Sequence, residues 1–129
     1  MEKEFIPHEY ALTLKELEFE ELCVGMFDEV GDLYIHCEFD NWNINIDICS
    51  APTYQQAFRW FREEYSMQVN ITTFVGQEQY DAEIILDKEL NSLSIRKQED
   101  DSWIEFFKSY EEAELACLRK LIEICQKQK

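Results

Sequence analysis

Apolar and polar residues in this chain recur with two different periods, and the two alternate along it. At about 100° per residue, Tyr54, Ala57, Phe58, Phe61 and Tyr65 share one stripe, with Gln55, Gln56, Arg59, Arg62 and Glu63 opposite. A helix over 54–65 is predicted. Its start is marked by Thr53-x-x-Gln56, a capping box in which the hydroxyl takes one orphan N–H and the amide reaches back to another. Trp60 sits at the edge of the stripe. It reads either as a lid on the margin of the core or, with Arg59 and Arg62, as an interface anchor, since Trp and Arg dominate such hot spots.

A second capped helix is predicted from Ser109-x-x-Glu112 onward. Tyr110, Ala113, Cys117, Leu121 and Ile124 form its main stripe, flanked by Leu118 and Cys125. Leu115 and Ile122 add a second apolar row, to be buried within the chain or lent to a partner. Residues 8–19 predict a shorter helix, with Tyr10, Leu14 and Leu17 on one face.

Elsewhere the period is two. Leu22–Phe27 is a short apolar run followed by turn residues Asp28 to Asp32. Leu33, Ile35, Cys37 and Phe39 then alternate with Tyr34, His36 and Glu38. After Asp40-Asn41, Trp42, Ile44, Ile46 and Ile48 alternate with Asn43, Asn45 and Asp47. This predicts a three-stranded meander with one dry face. Val69–Val75, Tyr80–Leu86, a weak run at Leu93 and Ile95, and Trp103–Phe107 predict further strands. The expected architecture is α+β: a mostly antiparallel sheet of meander strands with about three helices packed on one face, in the order α-β-β-β-α-β-β-(β)-β-α. At 129 residues, one domain over 1–129 is expected.

Having placed these elements, we note that LTLKELEFEELC (12–23), APTYQQAFRWFREEY (51–65) and YEEAELACLRKLIEI (110–124) resemble a group of small proteins of gut-bacterial genomes, prophages and phages. Together they span roughly a third of the chain. Glu18 stands where that group often has Gly. The resemblance implies a mobile-element setting and no particular chemistry.

Charge changes the picture more than composition does. There are 28 acids against 12 bases, a net charge of −16. Residues 1–52 hold 13 acids and 2 bases. Direct binding to nucleic acid or to an anionic membrane would be repulsive, so neither is expected. No window approaches the ~20 apolar residues of a membrane span, and the first residues carry no signal-peptide pattern. Cys23, Cys37, Cys49, Cys117 and Cys125 are odd in number and contain no Cys-x-x-Cys spacing. Reduced, buried thiols and a cytoplasmic location are expected.

Candidate chemistry is sparse. His36, Glu38 and Asp40 occupy alternate positions of one strand, where an imidazole and two carboxylates could hold a divalent cation; a solvated strand face has the same spacing. There is no glycine-rich phosphate loop and no Gly-x-Ser-x-Gly elbow. No cofactor and no catalytic residue is expected. The reading is a non-catalytic protein–protein interaction domain, monomer or homodimer, binding an unknown protein through the Arg59–Trp60–Arg62 edge or the Leu115/Ile122 row. The alternatives are an acidic nucleic-acid mimic that inhibits a host defence or other nucleic-acid-binding protein, and an enzyme with a carboxylate or metal site.

Overall fold

A computed structural model describes residues 2–73, 79–86, 92–95 and 107–127. The elements are α1 (His8–Glu16), β1 (Cys23–Phe27), β2 (Leu33–Asp40), β3 (Cys49–Ala51), α2 (Tyr54–Tyr65), β4 (Gln68–Thr73), β5 (Tyr80–Ile85), β6 (Ser92–Ile95) and α3 (Tyr110–Lys127). The fold is α+β, with two antiparallel sheets ordered β2-β1-β3 and β4-β5-β6. The chain divides into two compact units, Met1–Trp60 and Phe61–Lys129, with α2 running through the boundary.

The first unit is built around β1. Its neighbours are β2 on one side and β3 on the other, both antiparallel. Gly25 is required there: a Cβ would lie 2.7 Å from the Phe5 ring and 2.9 Å from the Ala51 carbonyl oxygen. That close approach lets the first residues fold in. Phe5 bridges Thr53, the Ile6 N–H donates to the Pro52 carbonyl at 3.1 Å, and both side chains are buried. The β1–β2 turn is organised by Asp28, whose Oδ1 accepts from the Asp32 N–H at 2.9 Å and the Val30 N–H at 3.0 Å. These donors hold its carboxyl below the ordinary range, the Asp32 N–H foremost. Gly31 supplies the positive φ the turn needs, at 90°.

Helix α1 is shorter than the 8–19 its pattern suggests. It ends in a Schellman turn: Phe19 N–H donates to the Leu14 carbonyl at 3.0 Å and Glu18 N–H to the Lys15 carbonyl at 3.1 Å. Leu14 and Phe19, the apolar pair of such a turn, are both fully buried. Glu18 sits at φ 67°, a left-handed conformation that favours glycine.

Helix α2 begins as its sequence requires. Gln56 N–H donates to Thr53 Oγ1 at 3.2 Å, and Thr53 N–H donates to Gln56 Oε1 at 3.0 Å, so the box is closed in both directions.

In the second unit, β5 is central and α3 packs against β4, β5 and β6. Ala113, Cys117, Leu118, Leu121, Ile122 and Cys125 form its buried face. Tyr110, expected in the main stripe, is 44% exposed. At the helix start Ser109 Oγ accepts from Glu112 N–H at 3.2 Å, while the Glu112 carboxylate takes the Lys108 N–H rather than that of Ser109. Of the strand predicted at 103–107, only Phe107 lies within the described residues, and it bridges Tyr80.

Candidate interaction surface

The meander prediction needs two corrections, and both expose apolar side chains. The first concerns β2. Cys23 pairs with Asp40 and Gly25 with Ile35, so two steps along β1 face five along β2. The surplus residues form a bulge at 36–39, and a bulge breaks the two-residue alternation that would keep one face dry. Every residue from Tyr34 to Asp40 is exposed, including Ile35 at 48% and Phe39 at 62%. Cys37, expected to be buried, is exposed as well.

The second concerns Trp42–Ile48, which is not a strand. Trp42–Ile44 is a single 3₁₀ turn, and the third strand begins only at Cys49. Side chains take the backbone's hydrogen bonds here, which is how Asn and Ser compete with a strand ladder. Asn41 caps the turn by accepting from Asn43 N–H at 3.1 Å. Trp42 N–H donates to Ser50 Oγ at 3.0 Å, and Ser50 N–H donates to Asn43 Oδ1 at 2.8 Å. Asn43 Nδ2 donates to the Phe19 carbonyl, and Trp42 Nε1 donates to the Cys23 carbonyl, both at 2.8 Å.

The next residues are fixed by one cation. Lys15, in the last turn of α1, donates from Nζ to the carbonyls of Asn45, Ile46 (3.3 Å) and Ile48 (2.6 Å). An ammonium has three donors, and each has a carbonyl. The loop so held displays Ile44 at 75% and Ile46 at 94% exposure. The His36 ring stacks on Trp42, centroids 4.4 Å apart and planes 26° from parallel, tying the loop's start to the bulge of β2.

Among the described residues, nine large hydrophobic side chains are exposed, and seven of them fall between Leu22 and Ile46: Leu22, Val30, Tyr34, Ile35, Phe39, Ile44 and Ile46. Between Lys15 and Arg59 there are ten acidic residues and no Lys or Arg. The stretch therefore combines apolar side chains in water with one sign of charge.

The other candidate residues are placed differently. Trp60 is 5% exposed and meets Phe19 edge-on, ring centroids 5.2 Å apart, while Arg59 and Arg62 are exposed. The expected Arg59–Trp60–Arg62 edge is thus not one surface: the Schellman turn carries Phe19 inward, and Trp60 packs on it. Ile122 is 5% exposed and Leu115 half-buried, so this second row is largely taken up by burial. His36, Glu38 and Asp40 do not converge. The bulge ends their strict alternation and the imidazole lies on Trp42; among the described residues no three His, Cys, Asp or Glu side chains group to hold a metal ion.

An open concavity of about 680 Å³ is lined by His8, Phe27, Gly31, Asp32 and Tyr34, among others. His8 packs on Phe27 there, centroids 5.1 Å apart. Burial pushes the Cys23 and Cys117 thiols up to about 12, which holds them protonated and unreactive. Among the described residues, no helix is long and apolar enough to cross a membrane. No family model, curated protein or solved structure matches the chain.

Proposed function

We propose that this is a non-catalytic interaction domain of a phage or other mobile element, and that it binds a protein partner through β2 and the loop that follows it. The observation carrying this reading is the concentration of exposed apolar residues between Leu22 and Ile46. Adjoining exposed apolar groups rimmed by charge mark contact surfaces, and the His36–Trp42 stack joins β2 to the loop that carries Ile44 and Ile46. The surface is also pre-ordered: Lys15 fixes the backbone that presents Ile46, so less ordering free energy is lost on binding. The mobile-element setting rests on the resemblance of the three stretches named above.

The test is affinity capture from the native host, followed by titration of the captured protein with Phe39→Ser and Ile46→Ser variants. Both positions are exposed, so each variant should stay within about 0.5 kcal/mol of the parent in stability. Loss of binding by at least tenfold supports the reading. Unchanged binding by both variants would remove this surface from consideration.

A second reading, an acidic mimic of nucleic acid, is favoured by the ten acids without a Lys or Arg between Lys15 and Arg59. It gives the exposed isoleucines no role. Its signature is binding that tolerates Phe39→Ser and Ile46→Ser but falls steeply with salt.

A further inference from the structure

Resting on the interaction reading, we infer the form of the partner: an extended segment with Lys or Arg between apolar residues, which adds as a strand to the free edge of β2. The first ground is backbone geometry. Among the described residues β2 pairs with β1 alone in its sheet, and it is an edge strand of eight residues, bulged at 36–39. An edge strand presents a row of N–H and C=O groups to an incoming chain, and proteins ordinarily blunt such edges with charged side chains, lysine above all, with proline, with bulges or with shortness. β2 contains neither Lys nor Pro. Pairing to β1 is interrupted at the bulge, and the strand's charged side chains, Glu38 and Asp40, are acidic, so they guard the edge against an acidic strand and not against a basic one.

Charge complementarity is the second ground, and it selects the occupant. Asp28, Glu29 and Asp32 precede or enter the strand, Glu38 and Asp40 lie on it, and Asp47 follows in the loop. None is offset by a Lys or Arg of the same stretch. An acidic or neutral strand would gain little here, and a second copy of the chain would bring another −16. A basic strand gains steering as well as contact, since Ile35 and Phe39 are exposed apolar partners for its own apolar side chains. The loop tied to β2 through the His36–Trp42 stack adds Ile44 and Ile46.

The experiment uses the full chain, labelled for amide NMR, and a nine-residue peptide alternating Lys with Val and Thr. One control carries N-methyl groups at alternate residues, which deletes one hydrogen-bonding edge; another has Glu for Lys. The expected result is amide exchange in Tyr34–Asp40 slowed at least tenfold by the Lys peptide. N-methylation should abolish that protection, and the Glu peptide should give none. No β2 protection at about 1 mM peptide, a regime that detects even weak binding, overturns strand addition. So does equal binding by the N-methylated peptide, or a dimer of the free protein paired through β2. The interaction reading itself is judged separately: it stands if Phe39→Ser releases the captured partner and falls if Phe39→Ser and Ile46→Ser both retain it.

Discussion

Glu18→Gly should make this protein more stable although it removes a side chain. Glu18 occupies the left-handed position after α1, at φ 67°, where a Cβ crowds the following carbonyl. That conformation costs a non-glycine residue about 1–2 kcal/mol. Glycine has no such cost, but it loses more chain entropy on folding, about 0.5–1 kcal/mol. The net expectation is a gain of about 0.5–1 kcal/mol, or about 2–6 °C in Tm for a chain of this size. Glu18 is also a negative charge at the negative end of a helix, near Glu16, Glu20 and Glu21, so any neutral residue relieves some repulsion. Glu18→Ala separates the two effects, because alanine removes the charge and keeps the Cβ. Thermal and urea unfolding of parent, Ala and Gly proteins should rank Gly highest. Equal stability of the Gly and Ala variants would refute the left-handed turn, and with it the account of how Phe19 reaches Trp60.

Three further outcomes are expected. Lys15→Met should lower stability by about 1–3 kcal/mol, since charged hydrogen bonds contribute more than neutral ones, and should speed amide exchange at 45–48; unchanged exchange there would show that the ammonium does not hold the loop. Trp60→Ala should cost about 3–5 kcal/mol as a core truncation, read by denaturant unfolding, whereas a fully stable variant with weakened partner binding would return Trp60 to the surface. Burial, with Glu111 adding to it, pushes the Glu114 carboxyl up to about 7, so the folded chain retains a proton that the unfolded chain releases near the ordinary 4.5. The associated stability is present at pH 4 and is lost as pH rises through 7. The Glu114→Gln variant should therefore gain on the parent between pH 4 and 8 in urea titrations, and a constant difference would contradict the shift.

How much of this was legible in the sequence differs by element for physical reasons. The start of α2 depends on two residues three apart, and both bonds of the Thr53–Gln56 box form as the spacing implies. The end of α1 was half legible: Glu18 occupies a position that favours glycine, and its charge hid the turn. Trp42–Ile48 has a faultless strand alternation yet folds as a turn and loop. The overlooked signal was Asn41, Asn43 and Asn45, whose type competes for backbone hydrogen bonds. Lys15 was not legible at all, because it acts on carbonyls thirty residues away. Nor was the bulge of β2, which is a property of two strands in register and not of either sequence alone. The burial of Phe5 was not legible either, because its ring lies against Gly25, a contact between segments twenty residues apart that needs that position bare. Trp60, Leu115 and Ile122 are wholly or partly buried, whereas Ile35, Phe39, Ile44 and Ile46, whose alternation predicts a core face, are exposed.

Hydrogen exchange of the full chain, free and bound to the protein it captures from its host, bears most directly on the central claim. Protection gained across residues 33–48, and reduced in the Phe39→Ser variant, is the predicted result. Protection confined to α3 or to the Arg59 and Arg62 face of α2, with 33–48 exchanging as in the free protein, would contradict it.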